Sequence, residues 1–397
     1  MTDHEKVVLL DGARTPIGSF GGVLKDVPAH ELGATSARAA LERSGIAADE
    51  IDEVVFGCIG QVGSDAYVAR RVALASGLPT SVPAHTVNRL CGSGLQSVWT
   101  AAMQLRWSDP GVCDVVLAGG NESMSRMPFY DFGARDGYRL GDRTLVDGTV
   151  MMLTDPFHGV HMGVTAENVA RAYDVSRQAQ DEFALVSQQR AASPEAKGAF
   201  AEEITPVTTG GRKPREISVD EHPKPETTAE GLAALRPVFE SGGTVTAGNA
   251  SGINDGGAAV LVARESVVDR QGLTGLVTLE AVETAANEPG LMGYAPVFAL
   301  RRLFERTGLS PRDIDIVELN EAFAAQAVAV IRDAGLDPER TNPYGGAIAL
   351  GHPVGATGAI LTLRVAQHLR RTDGEWGVVT MCIGGGQALA ALFRRYS

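Results

Sequence analysis

The chain repeats itself, and no other feature constrains its fold as strongly. Leu41 to Val55 lies over Phe304 to Glu318 without a gap, an offset of 263 residues. In the first copy this stretch runs from the end of a helix, closed by Ser44-Gly45, into a strand over 51–56. The strand at Val115-Val116 meets Val378-Val379 at the same offset, and both strands run into glycines. Cys91 meets Gly351-His352-Pro353 at an offset of 261, and both turns open helices. Three matches in register point to a duplicated unit. If the halves pack about a pseudo-twofold axis, their equivalent helix starts face one another. Cys91 and His352 then converge, although far apart in sequence.

Each half alternates strand and helix. Val7 to Leu10 reads as a short buried strand broken by Asp11-Gly12-Ala13-Arg14-Thr15-Pro16, and a helix follows from about Ala29 to Arg43. A loop and helix run through Ala66 to Ala75. A β-rich approach over 82–87 then leads into a helix with apolar steps at Leu95, Val98, Ala102 and Leu105. A second such turn opens the helix Ala356 to Leu369. This alternation predicts a layered α/β fold with mostly parallel sheets. The stretch 121–250 matches neither copy and reads as an insertion, which leaves 1–120 with 251–271 as one half and 272–397 as the other. Within it, His161 enters a helix, Ser176 caps another that ends near Ala192, and Thr227 to Glu230 has the form of a capping box. Gly210 to Pro225 is a basic loop with two readings: a solvated surface segment, or a contact for ligand phosphates.

Composition removes several function classes. The net charge of −13 over 397 residues leaves no general basic face for nucleic acid. No apolar run reaches the roughly 20 residues of a membrane-spanning helix. The polar opening Met1 to Lys6 does not read as a signal peptide, so a cytoplasmic protein is expected. Cys58, Cys91, Cys113 and Cys382 form neither a disulfide scaffold nor a zinc pattern, and no metal site is expected.

Cys91 sits at a helix start, where unpaired N–H groups and the helix dipole favour the nucleophilic thiolate. Gly92 and Gly94 leave room for a substrate carbonyl to approach. Alone, the same turn also reads as a small buried cysteine between strand and helix. The same double reading holds for His352 in its glycine-rich turn, for Asn320 after the strand 316–319, and for Cys382 before Gly384-Gly385-Gly386. Together they make a nucleophile–base pair with further polar groups at strand ends.

Set side by side, Val87-Asn88-Arg89-Leu90-Cys91-Gly92-Ser93-Gly94, His161-Met162-Gly163, Asn249-Ala250-Ser251-Gly252, Asn320-Glu321-Ala322-Phe323, Gly351-His352-Pro353 and Cys382-Ile383-Gly384-Gly385-Gly386 resemble the thiolase family, in the family's order and over essentially the whole chain. The resemblance implies a five-layered α-β-α-β-α fold of two duplicated halves with an inserted loop domain. It implies acyl transfer between CoA thioesters through an acyl-cysteine, with acetoacetyl-CoA as the first expected substrate and longer 3-oxoacyl-CoAs as the alternative. Cys91 would be the nucleophile and His352 its base. His352 and Asn320 would form one oxyanion hole, the N–H groups of Cys91 and Gly384 a second, and Cys382 would be the general acid. His161, Met162 and Ser251 would lie along the pantetheine, Phe239 and Phe323 would line the tunnel, and Met292 would stand beside the acyl pocket. The expected partners are acyl-CoA and CoA as substrates, with no cofactor, nucleic acid or membrane. The stretch 126–147 implies a homotetramer, with a homodimer as alternative. Met292-Gly293-Tyr294-Ala295-Pro296-Val297-Phe298 and Gly63-Ser64-Asp65-Ala66-Tyr67 depart from the family's usual pattern near the acyl pocket. A ketoacyl synthase would want a second histidine at Asn320. A papain-like protease would want its histidine much closer to the cysteine. A non-catalytic lipid-binding relative would have lost catalytic residues that are all present here.

Overall fold

The computed structural model describes residues 5–397. Met1–His4, read above as the start of the first half without a leader, lie outside them. The first half contributes β1 (Val7–Arg14), α1 (Ala29–Ser44), β2 (Glu53–Gly57), α2 (Val68–Ala75), β3 (Ala84–Val87), α3 (Ser93–Trp107) and β4 (Val115–Ser123). β4 thus runs three residues past the expected boundary at 120. The chain then leaves for the inserted segment, which carries α4 (Met162–Ala172), α5 (Arg177–Ala192) and α6 (Pro194–Glu203), and returns as β5 (Asn254–Arg264). The second half follows with β6 (Val277–Ala286), α7 (Ala295–Thr307), β7 (Ile316–Leu319), α8 (Ala324–Ala334), α9 (Thr357–Thr372), β8 (Trp376–Ile383) and β9 (Gln387–Arg395).

Sheet order repeats the duplication: β3-β2-β4-β5-β1 continues into β6-β9-β8-β7. The two halves join where β1 and β6 pair antiparallel, Val8 opposite Thr278 and Leu9 opposite Val277. Antiparallel pairing of equivalent strands is what a twofold axis between them produces. The sheets are mixed rather than mostly parallel. β2·β3, β2·β4 and β7·β8 are parallel, whereas β5 runs antiparallel to both β1 and β4, and β9 to both β6 and β8. A physical reason is plain at β8–β9. Gly384-Gly385-Gly386 closes a hairpin, with φ of 77° at Gly385 and 79° at Gly386, and a hairpin can only join antiparallel strands.

Strand alternation separates the layers. In β1, Val8 and Leu10 face the outer helices α1 and α2, while Val7 and Leu9 face inward. In β4, Leu117 packs outward and Val116 inward; in β8, Val378 packs outward and Val379 and Met381 inward. Both sheets bury their inner faces against Leu95, Val98 and Leu105 of α3 and Leu361, Leu363 and Val365 of α9. α7 and α8 cover the far face of the second sheet. The result is five layers, with α3 and α9 shared in the middle. At the end of this central layer the two helices touch: a Cβ on Gly94 would lie 2.7 Å from Ala359 N, and one on Gly358 would lie 2.1 Å from Leu95 N. That contact sets the start of α3, after Cys91, against the start of α9, after His352.

Within the inserted segment Ser176 caps α5 through Ala179 N, as expected. The cap of the short helix Ala229–Ala233 is Thr228, whose side chain accepts from Gly231 N, one residue later than the capping-box reading. No helix of the described residues is long and apolar enough to cross a membrane.

Candidate active site

A cavity of about 380 Å³ lies where the central helices begin, and its walls come from all three parts of the chain. Cys91 and Leu90 precede α3, His352 and Val354 precede α9, and Gly384 opens the β8–β9 hairpin. The inserted segment supplies His161, Met162 and Phe239, Ser251 stands where the chain returns to the first half, and Met292 and Phe323 complete the apolar wall. His161 stacks on Phe239 with ring centroids 4.8 Å apart, and Phe239 meets Phe323 edge-on at 6.2 Å. Asn320 and Cys382, also expected here, do not line this cavity. Both are fully buried: Cys382 behind Met162, Phe239, Met292 and Phe323, and Asn320 behind His352. The cause is the strand: Cys382 precedes the last residue of β8 and is held in the sheet.

The setting of His352 follows from its hydrogen bonds. Its backbone N–H donates to Asn254 Oδ1 at 2.8 Å. The Thr357 hydroxyl donates to Pro353 O at 3.1 Å, so at 2.6 Å its oxygen is left to accept from His352 Nδ1–H. This assigns the proton to Nδ1 and leaves Nε2 as an acceptor, which Asn320 Nδ2 faces at 3.5 Å. Burial holds His352 down at about 4, so the imidazole is neutral near pH 7 and able to accept a proton. Asn320 Oδ1 is buried and has no partner among the described residues.

Cys91 corrects one expectation. Burial pushes its thiol up to about 11; the N–H groups of Gly384 and of Cys91 itself, both directed at the sulfur, offset this only in part. Desolvation of the anion outweighs the helix start, and the resting group is a thiol. Gly92 and Gly94 also serve differently from the reading above. Their missing side chains make room for Ile383 and for the start of α9 rather than for substrate. The Cys382 thiol is raised as well, by burial first and by Cys91 second.

Three features were missed. Thr357, which orients His352, stands five residues after it in a helix start, where a threonine commonly signals only a cap. Glu122 is buried near the end of β4, and its only signal was an acid in the polar Asn121-Glu122-Ser123 that ends an otherwise small and apolar strand. A second cleft of about 520 Å³ shares Ile59, Leu90, Met152, Met162 and Gly384 with the first and continues past Met127, Met151 and Phe157. Of the basic loop, Arg212, Lys213 and Arg215 are exposed. His222 and Lys224 instead line a further pocket of about 310 Å³, which shares Ala247 with the cavity.

Comparison with known proteins agrees with this architecture over the full length. Residues 7–266 match the model of the thiolase N-terminal domain and residues 273–395 that of the thiolase C-terminal domain. A beta-ketothiolase (BktB) of Cupriavidus necator is 48% identical over 393 residues, covering 98% of this chain and 99% of its own. An acetyl-CoA acetyltransferase of the same organism is 44% identical over 398 residues and covers both chains completely. Among solved structures, the Bacillus anthracis acetyl-CoA acetyltransferase superposes with a TM-score of 0.96 at 40% identity, covering 99% of each chain. Human mitochondrial 3-ketoacyl-CoA thiolase in complex with CoA superposes with a TM-score of 0.94 at 41% identity, covering 99% of this chain and 98% of the other. With both thiolase domains matched in order and the duplicated halves meeting at a cysteine and a histidine, the chain belongs to the thiolase family of acyltransferases.

Proposed function

We propose that the chain cleaves and forms 3-oxoacyl-CoA, with acetoacetyl-CoA plus CoA, to and from two acetyl-CoA, as its central reaction. One observation carries the reading: Cys91 and His352 line one apolar cavity, with the N–H groups of Cys91 and Gly384 directed at the sulfur and His352 Nε2, faced only by Asn320 Nδ2 at 3.5 Å, left as the accepting nitrogen. In the cleavage direction the Cys91 proton passes to His352 Nε2 as sulfur bonds to the 3-keto carbon. The C2–C3 bond then breaks, its electron pair leaving as the enolate of acetyl-CoA. Cys382 protonates that carbon and is left as a thiolate; acetyl-CoA departs, a second CoA gives its thiol proton to Cys382 as its sulfur bonds to the acyl carbon, and the Cys91 sulfur leaves with the proton held on His352. Asn320 supports the enolate through its unpaired Oδ1. A water donating one proton there has its second proton free for the enolate oxygen, beside His352. The N–H groups of Cys91 and Gly384 receive the thioester oxygen.

The aromatic and methionine walls, His161, Met162, Phe239, Met292 and Phe323, suit a pantetheine arm. The polar pocket with His222 and Lys224 beyond Ala247 suits the phosphate-bearing end of CoA, which favours the ligand-contact reading for that part of the basic loop. The methionine-lined cleft beyond Leu90 favours a second reading, a degradative thiolase with longer acyl chains, since it continues directly from the site of the acyl-cysteine. For assembly we propose a homotetramer, with a homodimer as alternative. The stretch 126–147 exposes Phe129, Phe132, Leu140 and Leu145, apolar side chains suited to a further contact between copies.

CoA-dependent cleavage of 3-oxoacyl-CoAs of four to sixteen carbons, with intact-mass detection of the adduct on Cys91, tests both readings. A maximum at four carbons supports the first. A maximum at longer chains that Met152→Trp moves to shorter ones supports the second, and absence of cleavage and adduct at every length rejects both.

A further inference from the structure

Glu122 is a buried acid that the reaction above does not use, and its surroundings are unusual. It is 1% exposed near the end of β4, no lysine or arginine of the described residues pairs with it, and four donors converge on its carboxylate. Oε2 accepts from Ile59 N at 3.0 Å and from Gly355 N at 3.1 Å. Oε1 accepts from Gly60 N at 2.9 Å and from Cys58 Sγ at 3.6 Å. The donors belong to two turns from opposite halves of the chain. Cys58-Ile59-Gly60 follows β2, and its Ile59 lines the cavity. Gly355 lies in the turn from His352 to Thr357, whose Val354 lines the cavity and whose Thr357 orients the imidazole.

Packing alone does not call for an acid here, because an apolar side chain of similar size would fill the space without the desolvation penalty. A carboxylate adds two acceptor atoms at a fixed separation. Oε2 alone takes one N–H from each turn, so it ties them at a set distance, while Oε1 anchors the group to the first turn. We infer that Glu122 is a positioning residue: it fastens the His352 turn to the Cys58–Gly60 turn and thereby sets the imidazole beside Cys91. The inference rests on the reading of His352 as the base that takes the Cys91 proton.

Glu122→Gln keeps the volume but turns one acceptor into an NH2 donor, which then faces an N–H of the protein instead of accepting from it. The test is the single-turnover rate of Cys91 acetylation by acetyl-CoA, read as adduct mass in the full-length protein, together with KM and the melting temperature. Five variants are compared with the wild type: Glu122→Gln, Glu122→Asp, Thr357→Val, the Glu122→Gln/Thr357→Val double, and His352→Ala.

Glu122→Gln is expected to slow acetylation about tenfold or more with KM within about twofold, as for a group acting on the reacting geometry. The double variant should be no slower than the slower single, because both changes loosen one turn. Glu122→Asp keeps the carboxyl group but falls one methylene short of spanning both turns, so it should be slow as well, and it stands in if the glutamine variant does not fold. Acetylation within about twofold of wild type in either Glu122 variant overturns the inference. So do effects that multiply in the double variant, or losses in rate and KM that follow the melting temperature. If His352→Ala acetylates at the wild-type rate, the base reading itself fails. If only His352→Ala is slow, the base reading stands and Glu122 is excluded.

Discussion

Burial sets the charge state of the reacting groups. With the Cys91 thiol at about 11 and the His352 imidazole at about 4, both are neutral at pH 7, and the proton moves only as the carbonyl arrives. The helix start was legible in the sequence, but its consequence for the thiol was not. The burial that overrides it comes from the tertiary fold, which brings the β8–β9 hairpin and the His352 turn, hundreds of positions away, around the same cavity. Alkylation of Cys91 by iodoacetamide should therefore keep rising from pH 7 to 10 as the thiolate fraction grows. A plateau already reached at pH 7 would reveal a resting thiolate–imidazolium pair instead. The second cysteine is separable from the first. Cys91→Ala should abolish the acyl adduct, whereas Cys382→Ser should still acetylate Cys91 from acetyl-CoA but lose about a hundredfold or more in carbon–carbon cleavage, the usual worth of a positioned general acid. Equal loss of both steps in Cys382→Ser would remove the division of labour between the two thiols.

At the scale of elements, the helices were legible because amphipathic spacing and terminal glycines are local signals. α1 closes at Gly45, as its terminal glycine signalled, and α3 lies where the apolar steps placed it. Strand direction was not legible, since alternation of apolar residues is the same for either direction and depends on where the partner strand comes from. β5 and its counterpart β9 both enter antiparallel, the one after the inserted segment and the other after a tight hairpin, so their direction is set by the strands they join and not by their own residues. Duplication nonetheless told which helix starts would meet, and the contact of α3 with α9 makes that meeting testable. Gly358→Ala places a methyl 2.1 Å from Leu95 N, a backbone atom that cannot swing aside. It should cost about 1–3 kcal/mol, the usual range for overpacking a core. Because Cys91 and His352 head these two helices, it should also slow acylation of Cys91 beyond what the lost stability explains. A variant destabilised by this amount but acylating at the wild-type rate would show that the helix contact does not set the catalytic geometry.

The whole molecule is held together by a buried ionic cluster that draws one member from each part of the chain. Arg14 of β1, Arg364 of α9 and Glu203 of α6 are all within 1% of complete burial. Glu203 Oε2 accepts from Arg14 Nε at 2.6 Å and from Arg364 Nη2 at 3.0 Å, and Oε1 accepts from Arg364 Nε at 3.0 Å. Asp220 holds the outer edge of Arg14 at 2.7 Å. Burial by itself raises the Glu203 carboxyl, but Arg364 and Arg14 together override it and hold it at about 2. In the unfolded chain a glutamate titrates near ~4.3. The folded value is the lower one, so this group contributes stability that is present above about pH 4.3 and lost as the pH falls toward 2. Glu318, pushed up to about 8 by burial despite Arg364, has the opposite sign. Its contribution changes only between about pH 4.3 and 8, and below that range it is protonated in both states. Glu203→Gln leaves Arg364 with only Glu318, at 3.6 Å, while Arg14 keeps Asp220. With Glu318 itself largely protonated at pH 7, Arg364 is left without a charged partner, and the expected cost is the ~3–5 kcal/mol typical of breaking a buried pair. Urea unfolding of wild type and Glu203→Gln from pH 5 to 2.5 measures this directly. The wild type should lose stability steeply, the variant more shallowly, and the two curves should converge toward the acid end. Parallel curves would place the acid sensitivity elsewhere in the molecule and leave the cluster as a device for fixing how the inserted segment sits on the two halves.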